Sequence, residues 1–469
     1  MLKKYKMSKY NYTVRDNEGN LILYNFLIGL KSLVEVDRFD VDEFERLFLN
    51  GAVVEQSTCE KQSEIVKRLI SMGILVDADI DESIYCDSCA YEDIFNNELV
   101  LTILPTGKCN FKCPYCFELD KPFHRAKMTL ENQKALLKFV QKRVSKHKSL
   151  KVGWFGGEPL LEPDVIRNLS EGFMSICKAR FLPYSSEMTT NGYFLNEEIF
   201  DMLYKCKIYN YQVTIDGLKE RHDKYRMTKK GEGTFDQIVS NLLRIKKEKR
   251  YKFARILIRV NVTKDLLEEL NEFVDFISLN FCDDPRFSVT FMPVADFSEK
   301  GKSSLENKKV TAEELSIALS SNATYMKRIF DEKNARVESL LPERKCVAAM
   351  KNTYVVTPDL AVYKCCVYFD HPFNKIGYIN VDGDLIVDDI KHRKWYTQNK
   401  LYASCNDCFY LPVCKSTACP IRMFSETKAP FCSLKNEEFY RKLSEDIVYA
   451  SKICECTKLN LEKKGSDIT

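Results

Sequence analysis

Along the first hundred residues, apolar positions recur first at period two and then at helical spacing. Tyr10-Asn-Tyr-Thr-Val14 and Leu21-Ile-Leu-Tyr24 flank the polar run Arg15-Asp-Asn-Glu-Gly-Asn20, which predicts a β-hairpin with Gly19 supplying positive φ. A further strand is expected from Ser32 to Val36. Asp42-Glu-Phe-Glu-Arg-Leu-Phe-Leu49 reads as a short helix stopped by Asn50-Gly51, and Ser63 to Met72 as a second, with Ile65, Leu69 and Met72 on one face before Gly73. Ile74-Leu-Val76 completes this region as a wing strand.

From Leu99 the pattern changes to alternating strands and helices. Strands are expected at Leu99 to Leu104, Val152 to Phe155, Glu187 to Thr190, Gln212 to Ile215, Ala254 to Val260 and Phe287 to Phe291. Thr129 caps a helix with Leu136, Leu137, Val140 and Val144 on its apolar face, and Phe235 to Ile245 and Asp265 to Ile277 are further helices. Such βα repeats give parallel strands with right-handed crossovers. Six of them fall short of a closed eightfold barrel, whose active site would lie at the carboxyl ends of the strands.

Composition narrows the setting. The 469 residues carry a net charge of +4 with lysines and acids interspersed, which points to no nucleic-acid footprint. No apolar stretch of membrane-spanning length and no signal-peptide h-region occurs, so a cytoplasmic enzyme is expected. The 19 cysteines, an odd number in such a chain, favour metal ligation over disulfides.

Cys109, Cys113 and Cys116 carry the chemistry, in Gly107-Lys-Cys-Asn-Phe-Lys-Cys-Pro-Tyr-Cys-Phe-Glu118. Three thiolates hold three irons of a cubane and leave the fourth for a small molecule. A zinc knuckle would instead favour paired C-x2-C motifs. The spacing C-x3-C-x2-C with an aromatic resembles the radical S-adenosylmethionine (radical SAM) enzymes, and the six βα units match their partial barrel. The resemblance implies that SAM chelates the open iron and is cleaved to a 5'-deoxyadenosyl radical. It further implies that Tyr115, Gly156, Gly157 and Glu158 of the Gly-Gly-Glu-Pro loop, Thr190 and Asn191, Asp216, Arg226 and Arg259 line the SAM site. Strand-end turns and surface salt bridges are the plain alternatives for the residues after Glu158.

Cysteines crowd again after residue 340. The run Cys405-x2-Cys408-x5-Cys414-x4-Cys419, then Cys432, resembles the SPASM extension, which binds two auxiliary 4Fe-4S clusters. Two departures are a spacer of x4 where x3 is usual and Leu360 where Gly follows Pro358-Asp359. The family pattern implies Cys405, Cys408, Cys414 and Cys432 for one auxiliary cluster and Cys346, Cys365 and Cys419 for the other, with Cys366 an alternative to Cys365 because a strand points them to opposite faces. Zinc ribbons compete with this reading. Cys86 and Cys89 are expected to be surface thiols, and Cys454 and Cys456 free thiols in a polar tail.

The expected architecture is therefore α/β: a winged-helix-like peptide-recognition domain at 1–92, a partial (β/α)6 radical SAM core at 93–335, a SPASM domain at 336–440, and a helix and tail at 441–469. The module at 1–92 resembles those that bind the leader of a ribosomally made precursor peptide, where an edge strand receives the peptide. Such an enzyme would use SAM and three 4Fe-4S clusters, take electrons from a flavodoxin or ferredoxin, and form an intramolecular thioether in the peptide. Carbon–carbon crosslinking, sulfatase-maturing or dehydrogenase chemistry and a non-catalytic scaffold are the alternatives. No Asp or Glu stands out as an active-site base.

Overall fold

The computed structural model describes residues 4–49, 53–55, 60–84, 97–118, 123, 126–294, 308–331, 336–337, 340–341, 346–397, 405, 408–414, 420–424 and 437–459. Cys59, Cys86, Cys89, Cys419 and Cys432 lie outside them. Two compact units form: Met1–Ile94 with Glu332–Val347 and Thr397–Thr469, and Phe95–Asp331 with Ala348–Tyr396. These units cut across the expected boundaries, because residues 348–396 belong with the core and the last helix belongs with the N-terminal segment.

In the first unit, β1 (Lys4–Met7), β2 (Asn11–Arg15), β3 (Leu21–Asn25) and β4 (Val34–Val36) are followed by α1 (Val41–Phe44), β5 (Val54–Glu55), α2 (Glu60–Ser71) and β6 (Leu75–Asp77). The β2–β3 hairpin pairs Tyr12 with Tyr24 and Val14 with Ile22, and Gly19 takes φ +90° as its turn requires. The strand expected from Ser32 begins only at Val34, because Gly29–Ser32 coils into a 3-10 turn. The expected wing strand pairs with β1, which also pairs β5, making a separate three-stranded sheet. Leu21, Leu23, Val34, Phe44, Val66 and Leu69 share one core. Ile22, Tyr24 and Phe26 turn to a second core with Leu443, Ile447 and Ala450 of the helix Glu437–Ile453. Cys454 and Cys456 pack against that second core, so they do not sit in a solvated tail. After them Thr457–Leu459 joins the edge of β4 in parallel.

The second unit is built on one sheet. Parallel strands β7 (Glu98–Ile103), β8 (Ser149–Trp154), β9 (Tyr184–Thr190), β10 (Ile208–Thr214), β11 (Arg255–Val262) and β12 (Phe287–Pro293) lie side by side in chain order, as βα repeats require. Beyond β7 the sheet continues through β13 (Thr353–Val356), parallel to it, and the antiparallel β14 (Ala361–Tyr363), β15 (Lys375–Ile379) and β16 (Leu385–Val387). Thr129 caps the helix Leu130–Arg143 by accepting from Asn132 N, as expected. Burial alternates along β7, β9 and β11. One face carries Ile103, Met188, Val213 and Ile258 in the interior, while the other presents Thr102, Thr189, Gln212, Arg259 and Asn261. That polar face is why the strands read as half-buried where a doubly covered parallel sheet would be apolar on both sides.

Candidate active site

The strand ends and the loop after β7 enclose a cavity of about 380 Å³. Its wall includes Cys109, Cys113, Tyr115 and Cys116 from the loop, Gly156 and Gly157 after β8, Thr190 and Asn191 at the end of β9, and Arg226 and Arg259. Nearly all the residues expected at a SAM site therefore meet in one place. Glu158 and Asp216 are the exceptions: neither lines the cavity, and they are 1% and 0% exposed.

Both brace the wall instead. Glu158 accepts from Leu160 N at 2.9 Å, Thr190 Oγ1 at 2.7 Å and Asn191 N at 2.7 Å, tying the Gly-Gly-Glu-Pro loop to the end of β9. Burial pushes its carboxyl up from the usual range, against the pull of those bonds. Its backbone N–H donates to Lys108 O at 2.8 Å, so the same residue holds the cysteine loop. Gly157 makes that approach feasible: a Cβ there would lie 2.3 Å from Lys108 O and 2.6 Å from Gly107 O.

Two more seams hold the loop. Asn191 Nδ2 donates to Asn110 Oδ1 at 2.8 Å, and on either side of the Phe111–Thr228 bridge Lys112 N donates to Met227 O at 3.2 Å and Lys229 N to Asn110 O at 2.9 Å. Tyr115 donates its hydroxyl proton to Asp216 Oδ2 and accepts from Arg226 Nη1 at 2.7 Å. Asp216 Oδ1 also accepts from Asn261 N at 2.8 Å. His222, 0% exposed, accepts at Nδ1 from Asp216 N at 3.2 Å, so its proton sits on Nε2 and points to Thr234 Oγ1, 3.1 Å away. Burial, then the Arg226 charge, holds this imidazole well below its ordinary pKa and therefore neutral.

Burial pushes the Cys109 thiol up to about 12, helped by the Glu158 charge, and the Cys116 thiol also to about 12; Cys113 is raised by burial as well. Free thiols here keep their protons, and cluster loading must release them. Among the described residues, no three His, Cys, Asp or Glu side chains are grouped closely enough for a single metal ion. A cubane makes a different demand, since each thiolate takes its own iron. The surroundings fit that larger group and its ligand: three free thiols on one wall, a glycine cradle that a Cβ would fill, and two buried donors, Asn110 Nδ2 and Arg226 Nε, without hydrogen-bond partners.

Sequence reasoning missed several wall residues. Glu118, the only carboxylate on the wall among the described residues, follows the cysteine loop directly. Gln212 and Asn261 come from inward positions of β10 and β11, which strand parity alone would have found, whereas Thr189 and Thr214, also on the wall, open the segments Thr189-Thr-Asn-Gly192 and Thr214-Ile-Asp-Gly217 to which the family resemblance points. Cys366 lines the cavity and Cys365 does not. Of the auxiliary set, Cys405 and Cys408 pack beside Tyr10 and Leu411, Cys414 ends a short helix at Leu411–Cys414, Cys346 is exposed, and Cys365 Sγ accepts from Val367 N at 3.4 Å.

Residues 103–277 match the model of the radical SAM superfamily. The chain is 25% identical over 345 residues to the cysteine-type anaerobic sulfatase-maturating enzyme of Clostridium novyi (strain NT), covering 66% of this chain and 85% of that one. Its fold is similar to that of anSMEcpe with bound AdoMet, with TM-score 0.56 and 20% identity over 76% of this chain and 100% of that one. It is also similar to that of Streptococcus suis SuiB bound to precursor peptide SuiA, with TM-score 0.52 and 16% identity over 91% of this chain and 98% of that one. Residues 103–277, with the three-cysteine loop on the cavity wall, thus form a radical SAM domain, a superfamily that binds SAM and a 4Fe-4S cluster, and the similarity to its enzymes marks this chain as an enzyme.

Proposed function

We propose that this enzyme matures a ribosomally synthesised precursor peptide in the cytoplasm, forming an intramolecular thioether. The observation that carries the reading is the single wall shared by Cys109, Cys113 and Cys116 with the polar strand positions Thr189, Gln212, Arg259 and Asn261. An extended peptide needs such a lining, because its backbone amides must keep partners when they leave water. The sulfatase-maturating relative and the peptide-bound SuiB structure support a polypeptide substrate over a small molecule.

SAM and its cluster, when bound, supply one-electron cleavage to a carbon radical able to take hydrogen from an unactivated peptide carbon. Cys109, Cys113 and Cys116 would hold the cluster. Gly156, Gly157, Thr190 and Asn191 would receive the methionyl end of SAM, beside Arg226 on the same wall. Glu158 and Asp216 act behind them as positioning residues. Glu118, on the same wall, would accept the proton of a substrate thiol as the carbon–sulfur bond forms. Cys405, Cys408, Cys414 and Cys432, with Cys346, Cys365 and Cys419, would hold two auxiliary clusters that accept the surplus electron. A flavodoxin or ferredoxin would supply the priming electron.

The N-terminal unit would take the leader peptide. Deleting 1–92 is a poor test, since it would strip Tyr24 and Phe26 from a core that includes Leu443 and Ile447. The test of function uses the whole reconstituted protein with dithionite, SAM and the precursor encoded beside its gene. 5'-Deoxyadenosine together with a peptide that has lost two hydrogens and one alkylatable thiol is the expected result. Loss of two hydrogens with all thiols intact would replace the thioether by a carbon–carbon crosslink. Modification of a sulfatase active-site peptide alone would favour the sulfatase-maturing reading that the curated relative suggests.

A further inference from the structure

The strand Thr457–Leu459 lies outermost in the sheet that continues through β4, β3 and β2. It pairs Thr457 with Val34, Lys458 with Glu35 and Leu459 with Val36. Thr457 N donates inward to Leu33 O at 3.0 Å, so alternation turns the backbone N–H and C=O of Lys458 to the outer edge. Among the described residues no strand pairs with that edge. An open row of donors and acceptors is a template for another strand.

Beside the edge runs a groove of about 410 Å³, lined by Glu64, Ile65, Lys67, Arg68 and Ser71 of α2 and by Lys458 and Leu459. Its apolar floor is anchored, because Leu459 is 3% exposed and Ile65 packs on the same core. Its rim is basic. Among the described residues neither Lys67 nor Arg68 has an ion-pair partner, and both are exposed. Lys458 stands 3.4 Å from Glu35, and Glu64 is the one acid in the lining among the described residues, so the three cations of the groove outnumber its acid.

We propose that an acidic, extended segment of the precursor's leader docks here, adding as a strand to the outer edge of Thr457–Leu459 with its carboxylates against Lys67 and Arg68. This rests on the peptide-maturase reading above and deepens it in one respect: the receiving edge comes from the strand after the last helix, not from the winged-helix-like strands themselves. Recognition then needs segments from both ends of the described chain. Main-chain pairing gives the register, the Ile65–Leu459 floor selects an apolar side chain, and the rim selects acidic flanks.

The test is fluorescence anisotropy with a dye-labelled synthetic leader of the neighbouring precursor, on the full protein and two variants. Lys458→Pro removes the outward N–H at an edge position that tolerates proline, and the double variant Lys67→Glu with Arg68→Glu reverses the exposed rim. The expected result is binding by the full protein and weakening by at least about tenfold in each variant, a loss of ~1.4 kcal/mol, with 5'-deoxyadenosine formation from SAM alone unchanged. Undiminished or tighter binding by both variants would overturn the docking site and leave leader recognition standing. Absence of binding by the unmodified protein would overturn both.

Discussion

Arg226 Nη1 lies 2.7 Å from the Tyr115 hydroxyl but 3.7 Å from the nearer Asp216 oxygen, so the tyrosine bridges a buried cation and a buried anion. It does so from within the cysteine loop, which ties Cys113 and Cys116 to the end of β10. Tyr115→Phe removes the bridge and leaves both charges under-solvated. Unfolding of the apoprotein in urea should show a loss of about 1–3 kcal/mol. An unchanged midpoint would mean that the bridge holds nothing.

Gly157 stands against backbone, not against a side chain that can move aside. A Gly157→Ala variant must therefore push the cysteine loop away from the Gly-Gly-Glu-Pro loop. Iron per chain after reconstitution and the electron paramagnetic resonance signal of the reduced SAM-binding cluster should both fall, with the circular dichroism of the sheet kept. A normal spectrum with full iron would remove Gly157 from the cradle.

The six βα strands and the cysteine loop were legible because local periodicity and spacing determine them. The Pro358-Asp359-Leu360 departure proved harmless to the turn, since Leu360 itself adopts φ +65°, the conformation usually left to glycine. What stayed hidden depends on distant pairing. Thr457–Leu459 is three residues long with no periodicity to read, and β1 acquires partners only through residues fifty and seventy positions away. The choice between Cys365 and Cys366 was hidden for another reason: the register shifts between Val362 and Tyr363, so strand parity cannot be counted through to the cysteines. Glu118 escaped notice because only the folded cavity makes it the one carboxylate on the wall among the described residues.

That carboxylate and Cys366 separate SAM cleavage from peptide chemistry. Glu118→Gln keeps shape but cannot take a proton, so peptide modification should fall about 100-fold or more. Cys366 lines the same cavity as the cysteine loop, and Cys366→Ala should lower peptide modification more than peptide-free cleavage. Both are read by quantifying 5'-deoxyadenosine and modified peptide in one reaction. Parallel loss of both products would make the two residues structural supports of the cavity.

Two buried histidines make stability fall in acid. His222 is held neutral by burial and Arg226, and His392 is lowered to about 4, chiefly by burial and then by the Lys364 charge. Below about pH 6.5 the unfolded chain binds a proton at each position while the folded chain does not. The unfolded state therefore carries more protons, and stability falls as pH falls. For His392 this loss runs from about 6.5 down to about 4, and for His222 it continues until its own depressed pKa is reached. Each histidine contributes up to about 1.4 kcal/mol per pH unit in that window. Urea unfolding at pH 7 and pH 5 should show the drop, and His392→Gln should make the slope shallower by about half of the histidine contribution. A slope identical in the variant would mean that His392 is solvated and protonated in the folded protein, contrary to its burial.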